Sequence, residues 1–191
     1  MANHVMTRIT IDGNEKLMKF LEEKRKLTEE KNKEDQYLAL IGAFYDDIQN
    51  DRGWFGENVG AKWCYHDDFW VGDEESEITT TSAWYYPEEF VKHLFRVCRD
   101  IDPECSISGD YEDESYSPVG GFAINKNGFR QDEEDDFDYP DEEDFLTEDG
   151  EEDYEAYDTA MEEFYQLIYD TRSTLKNNCV EQLSHPTKPV V

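Results

Sequence analysis

Acidic side chains are the residues whose number and spacing give this chain its clearest chemical character. Residues 108–163 contain 23 Asp and Glu residues but only two bases, Lys126 and Arg130, which accounts for −21 of the net charge of −30. Carboxylates at this density repel nucleic acids and anionic membranes, both of which need Lys and Arg for binding. We therefore expect a basic protein partner, and no direct contact with nucleic acid or membrane.

Aromatic residues are interspersed among these acids. The run from 132 to 155 has no base, and it includes Phe137, Tyr139, Phe145 and Tyr154, with Tyr157 just after it. Runs of like charge are usually solvated and disordered. In the alternative, the rings hold the run against a folded body and fix the carboxylates in place. Both interpretations remain open from the sequence.

A regular series of acids follows. Glu148, Glu151, Glu155, Asp158 and Glu162 are three and four residues apart, which places neighbours ~5–6 Å apart along one side of a helix. Duplex DNA carries one charge per ~1.7 Å of its axis, so such a row could occupy a protein groove that normally holds phosphates. The predicted partner-binding residues are Asp132, Glu133, Glu134, Asp135, Asp136, Asp138, Tyr139, Asp141, Glu142, Glu143, Asp144, Phe145, Glu148, Glu151, Glu155, Asp158 and Glu162.

Sequence signatures of catalysis are absent. No P-loop, dinucleotide-binding, zinc-protease or nucleophile-elbow motif occurs, so we expect no enzymatic activity and no cofactor. One alternative is a metal-dependent nuclease site at His66, Asp67 and Asp68. Adjacent carboxylates more often mark a turn, so we expect no metal there.

The four cysteines are predicted to be reduced, buried thiols. Cys64, Cys98, Cys105 and Cys179 form no C-x-x-C pair. A zinc site that combines Cys64 and His66 with Cys98 or Cys105 is the alternative, but this spacing fits no usual ligand pattern. The N-terminus also lacks a basic region followed by an apolar run. We therefore expect a cytoplasmic protein.

The remaining pattern predicts an α+β fold. The predicted strands are 5–11, 59–65, 76–84, 104–110 and 120–130. The predicted helices begin at Asn14, Glu34 and Pro87; the first two end near 27 and 48, and the third ends before Pro103. This order matches a ferredoxin-like (split βαβ) antiparallel sheet with helices on one face. An acidic segment and a long C-terminal helix are then appended.

The C-terminal helix has the clearest periodicity. Its apolar positions are Tyr154, Tyr157, Met161, Phe164, Ile168, Thr171 and Leu175. Such a stripe either packs on the core of its own chain or forms a coiled-coil dimer seam, for which three heptads are marginal. The predicted organisation is a body at 1–130, an acidic segment at 131–150, a helix at 151–178 and a flexible tail at 179–191.

Several short motifs resemble a known family. They are the opening MAN, GAKW at 60–63, SAW at 82–84 before Pro87, YEDE at 111–114 and GGF at 120–122. They are similar to those of the YubB-type ferredoxin-like domain of phages and plasmids. The resemblance implies a ferredoxin-like fold and a mobile-element origin for residues 1–130, and it implies no catalytic or binding residues. The chain departs from the family after about residue 130, where the charge lies.

These observations lead to one hypothesis and one rival. The first is a phage-encoded inhibitor of a host nucleic-acid-binding defence protein, of restriction, CRISPR or recombination type, that acts as an acidic DNA or RNA mimic in the host cytoplasm. The rival is an interaction or antitoxin-like module that binds its partner, or a second copy of itself, through the C-terminal helix. An enzyme of unrecognised type is a third possibility.

Overall fold

The computed structural model describes residues 3–33, 35–146 and 153–185. The strands are β1 His4–Asp12, β2 Cys64–Val71, β3 Glu75–Ala83, β4 Ser106–Asp113, β5 Val119–Asn125 and β6 Gly128–Glu134. The helices are α1 Glu15–Asn32, α2 Ala39–Phe44, α3 Arg52–Asn58, α4 Glu88–Ile101 and α5 Tyr154–Ser184, with a 3₁₀ turn at Glu142–Phe145. All six strands form one antiparallel sheet in the spatial order β2-β3-β1-β4-β5-β6. The predicted α+β class, antiparallel sheet and long C-terminal helix are confirmed.

Helices α1 and α4 enclose the main hydrophobic core on one face of the sheet. The side chain of Asn14 accepts hydrogen bonds from two backbone amides in the first turn of α1, as its predicted capping role requires. Helix α4 follows Pro87 and carries Glu88 and Glu89 in its first turn, where the helix dipole favours acids. The buried residues of α4 are Phe90, Val91, Leu94, Phe95 and Cys98.

Helix α5 packs on the opposite face, over β4, β5 and β6. Successive side chains of a strand point to opposite faces. Val119 and Ala123 of β5 cluster with residues of α5, whereas Phe122 and Ile124 belong to the main core. The body helices α1 and α4 lie on one face, as expected, and the appended helix α5, for which no face was predicted, covers the other face, because β5 presents apolar or small residues to both sides.

The apolar stripe of α5 packs against the sheet of its own chain. Its buried residues are Met161, Phe164, Ile168, Leu175, Cys179 and Leu183. This packing corresponds to the first of the two alternatives for the stripe. In the described part of the chain, no helix combines the length and apolar character needed to span a membrane.

A close backbone approach fixes α5 on the sheet. An added Cβ on Gly121 would lie 2.6 Å from the carbonyl carbon of Leu175 and from the Cα of Lys176, and closer still to the Lys176 amide nitrogen. Only glycine leaves enough room for two backbones to approach this closely. The helix backbone therefore lies directly on β5.

Several predicted bounds differ from the structure. The helix predicted over 34–48 is reduced to α2, and the strand predicted over 59–65 is replaced by the loop that follows α3 and by the start of β2. The boundary predicted at 130 falls inside β6, so the acidic segment begins as the sixth strand. The tail predicted from 179 is helical as far as Ser184, because Cys179 and Leu183 are buried beside Ala123. Residues 186–191 lie outside the described residues.

Candidate partner-binding surface

The first predicted site residues lie on β6, the outermost strand next to β5. In the register of this pair, Asp132 is opposite Gly121, Glu133 opposite Gly120 and Glu134 opposite Val119. Because strand residues alternate between faces, Asp132 and Glu134 lie on the α5 side of the sheet and Glu133 on the other side. The structure therefore does not bring these three carboxylates together on one face.

Glu133 takes part in a polar network instead. Its Oε2 accepts hydrogen bonds from the hydroxyl of Tyr111, at 2.7 Å, and from that of Tyr85, at 3.1 Å. Gln131 accepts from Tyr86 at 2.7 Å and donates to Tyr111 at 3.0 Å. The side chain of Glu133 thus helps to attach β6 to the body, although sequence reasoning assigned it only to partner binding.

Burial keeps this network in one protonation state. The rings of Tyr86 and Tyr111 stack with centroids 4.4 Å apart, and both side chains are fully buried. Burial raises the pKa of Tyr86 and of Tyr111, because it disfavours the phenolate. Both hydroxyls therefore remain hydrogen-bond donors.

Aromatic residues attach the rest of the acidic segment to α5. Tyr139 packs edge-on against Phe164, with ring centroids 5.1 Å apart, and Phe145 packs against Tyr157 at 5.7 Å. The backbone carbonyl of Phe145 also accepts a hydrogen bond from the amide of Asp153 at 2.8 Å. These contacts match the alternative in which the rings hold the run against a folded body.

The carboxylates of this acidic segment after β6 are exposed. They are Asp135, Asp136, Asp138, Asp141, Glu142, Glu143 and Asp144. Tyr139 is also half exposed, at 52%. The segment therefore presents its acids to solvent while its rings face α5.

The predicted row of carboxylates along one side of the C-terminal helix is present in part. Glu155, Asp158 and Glu162 are exposed on α5, and Asp153 caps the helix by accepting a hydrogen bond from the amide of Ala156 at 3.1 Å. Glu155 lies in the first turn, where the helix dipole stabilises an acid. Glu148 and Glu151 lie outside the described residues.

The acids of this surface have no internal counterions. Within the described part of residues 132–163, no carboxylate forms an ion pair with Lys, Arg or His. The nearest base in sequence, Arg130, donates to the carbonyl of Phe129 instead. The negative charge is therefore left for solvent ions or for a partner. We call the described acids of 132–163, without Glu133, the acidic surface.

An ion-pair cluster that sequence reasoning missed holds α5 in position. Nη1 of Arg172 lies 2.6 Å from Oε2 of Glu112, and its Nε lies 3.6 Å from Asp110, which Lys176 also approaches at 3.7 Å. Arg172 and Asp110 are nearly buried, with 12% and 8% of their side chains exposed. The sequence held one signal for this cluster: Arg172 and Lys176 are two bases four residues apart on an otherwise acidic helix.

The alternative metal and cysteine sites do not assemble. Asp67 accepts a hydrogen bond from Thr81, and Asp68 accepts one from the backbone amide of Phe69. Among the described residues, no group of three His, Cys, Asp or Glu side chains could hold a metal ion.

All four cysteines are free and buried, as predicted. Burial raises the pKa of the Cys64 thiol to about 12 and that of Cys179 to about 11. Neither thiol is therefore activated as a nucleophile.

No family model matches the chain, and no curated protein or solved structure matches it.

Proposed function

We propose that this protein inhibits a basic, nucleic-acid-binding protein by presenting the acidic surface in place of nucleic acid. The observation that carries the proposal is the absence of ion pairs among the described acids of 132–163, next to a body whose other acids include many that are paired. A solvated charge needs no fixed position, but this segment is attached to α5 by Phe145 and Tyr139. Ordered, unpaired charge is what a groove for phosphates would bind.

Two effects would bring the inhibitor to its target: the attraction between opposite charges, and apolar contact by an aromatic ring. Complementary charge raises association rates and makes them sensitive to salt. Charge alone gives little net affinity once it is desolvated, so the half-exposed ring of Tyr139 supplies apolar contact at the centre of the surface. The inhibitor and the nucleic acid then compete for the same groove.

The class of target follows from the resemblance of residues 1–130 to a domain of phages and plasmids. We propose a host defence protein of restriction, CRISPR or recombination type, met in the host cytoplasm. We also propose that β1 to β4 with α1 and α4 are a ferredoxin-like unit. The order β2-β3-β1-β4, with a helical connection after β1 and after β3, supports this.

The rival function is an interaction module that uses α5 without mimicry. Beside its buried stripe, α5 exposes Tyr165 and Tyr169, one turn apart on one flank, and Leu167 on the other flank, and these side chains are 47–53% accessible. A partner, or a second copy in a homodimer, would bind there, since the buried stripe already packs on the sheet. Leu167→Ser would then abolish binding and leave folding unchanged.

The test is competition with labelled duplex DNA for purified restriction, CRISPR and recombination nucleases. Fluorescence anisotropy is measured at about 50 mM and about 300 mM salt, because phosphate-like contacts lose affinity steeply over this range. One variant removes three exposed charges of the acidic surface, E142Q/E143Q/D144N. Its matched control, D46N/D47N/E57Q, removes three exposed charges elsewhere.

Mimicry predicts that E142Q/E143Q/D144N binds the nuclease more weakly than wild type and with a shallower salt dependence, whereas the control variant behaves as wild type. Inhibition that is equal for both variants and unchanged by salt would reject the proposal. Loss of inhibition through Leu167→Ser alone would select the rival function.

A further inference from the structure

A cavity with a volume of about 570 Å³ lies beside β2, at the end of the sheet opposite to β6. This volume is within the range of small-molecule sites. The rings of Trp63 and Tyr65 lie nearly parallel on one wall, with centroids 5.6 Å apart, and Tyr37 packs edge-on against Tyr65 at 5.6 Å. Flat aromatic walls of this kind suit a flat ligand ring.

Two cations line the same cavity. Arg52 and Lys62 form no ion pair within the described residues, although acids outnumber bases 48 to 18 in the chain. Both lie over the ring of Trp84 instead, at 4.7 Å and 5.0 Å from its centroid. An aromatic ring orients a cation without neutralising its charge, whereas a carboxylate would cancel it.

The two acids at the cavity are already engaged. Oδ1 of Asp51 accepts hydrogen bonds from two backbone amides of α3, and Oδ1 of Asp35 accepts one from the amide of Tyr37. Neither forms an ion pair with Arg52 or Lys62 in the described structure. The cations therefore remain available to a ligand.

The backbone of Trp84 is strained where it holds these cations. Its φ is +75°, and among the described non-glycine residues only Tyr116 shares this left-handed conformation. A bulky side chain adopts such a φ only where its surroundings enforce it. The amide of Trp84 donates to the carbonyl of Asn3 at 2.9 Å, which ties this position to the residue just before β1.

The acidic surface is too far away to repel an anion from this cavity. Tyr65 belongs to β2 and the acids begin on β6, at opposite ends of a six-stranded sheet. Five strand spacings of ~4.8 Å separate these strands by roughly 24 Å. The screening length in physiological salt is only about 8 Å.

From these observations we infer that the cavity binds a small anion that carries a flat ring, of the nucleoside monophosphate class. The ring lies against Trp63 and Tyr65, and the phosphate is bound by Arg52 and Lys62. This site is independent of the proposed inhibitory function.

The experiment is isothermal titration calorimetry of the full chain with adenosine monophosphate, supported by the quenching of tryptophan fluorescence. Adenosine supplies the ring without the anion, and inorganic phosphate supplies the anion without the ring. The test variants are Arg52→Gln with Lys62→Gln, and Tyr37→Leu, whose side chain is 49% exposed. The control, Lys16→Gln with Lys126→Gln, removes two exposed charges away from the cavity.

We expect the monophosphate to bind wild type and control alike, and the loss of the two cations to weaken binding roughly tenfold or more. Adenosine and phosphate should each bind more weakly than the monophosphate, and Tyr37→Leu should weaken adenosine as well. Unchanged thermal unfolding shows that the variants are folded. The inference is overturned if the monophosphate does not bind, binds the cation variant as tightly as wild type, or is matched by adenosine or by phosphate alone.

Discussion

Replacing Gly121 by alanine is expected to lift α5 from the sheet. The new Cβ would lie 2.6 Å from backbone atoms of Leu175 and Lys176, where ordinary contact begins at 3.4 Å. The helix backbone must therefore move by at least 0.8 Å, because neither it nor the strand has a flexible side chain at this point.

The free-energy cost follows from the apolar stripe that moves with the helix. Six side chains of α5 are buried, and each contributes about 1.5–3 kcal/mol when fully buried, for a total of about 9–18 kcal/mol. A gap of 0.5–1 Å removes a quarter to a half of the dispersion contacts at an interface. Partial repacking recovers some of this, so we expect Gly121→Ala to destabilise the protein by about 2–3 kcal/mol, or roughly 5–10 °C in Tm.

The assay is urea unfolding followed by two signals. Circular dichroism reports on all the helices, of which α5 is the longest described, while fluorescence reports on Trp54, Trp63, Trp70 and Trp84, none of which lies in α5. The circular dichroism midpoint should fall further than the fluorescence midpoint, because the strain is at α5. The matched control is Gly56→Ala in α3, where an added Cβ meets nothing within 4 Å.

The control should be neutral or stabilising by about 0.5–1 kcal/mol, since alanine favours a helix more than glycine does. A Gly121→Ala protein whose stability lies within about 0.5 kcal/mol of wild type would refute the close packing of α5 on β5.

Two further predictions concern charged and titrating groups. Arg172→Met leaves Glu112 without its partner in a nearly buried site and should cost about 3 kcal/mol of unfolding free energy in urea; a loss below 1 kcal/mol would mean that the ion pair does not hold α5. Burial lowers the pKa of His93 in the folded protein. As the pH falls, this histidine therefore binds a proton in the unfolded chain before it does so in the folded chain. Stability should therefore fall as pH drops below about 6.5, and His93→Gln should flatten this fall in unfolding curves at about pH 7.5 and about pH 5.5. An unchanged slope in that variant would show that His93 is not the group involved.

Local signals predicted the elements that depend on near neighbours. The cap at Asn14 and the amphipathic face of α4 were both correct, because each is determined within a few residues. The region from 34 to 65 was predicted poorly. Val59 and Ala61 are fully or nearly buried although they lie outside any strand, so their apolar character imitated a strand pattern.

The charge of the acidic segment could be predicted from the sequence, but the hydrogen bonds and ring contacts that attach it to the body could not. The rings among the acids left attachment to a folded body as one of two open interpretations, and the contacts of Tyr139 and Phe145 with α5 match it. The role of Glu133 depends on Tyr111 and Tyr85, which are 22 and 48 residues away in sequence. Such distant pairs leave no local pattern. The pair Gly120-Gly121 within a strand was a usable sign of close backbone approach, which the sequence interpretation did not draw.

The position of β6 at the margin of the sheet has a consequence for how the protein behaves at high concentration. A free strand edge is a template on which another chain can add a strand, which is a route to aggregation. Asp132 and Glu134 place like charges along that edge, so two copies repel before their strands can pair. The opposite margin, β2, is protected differently, by a bulge between His66 and Asp68 that interrupts its regular pairing with β3. The acids of β6 thus protect the folded chain from its own copies whether or not a partner is present.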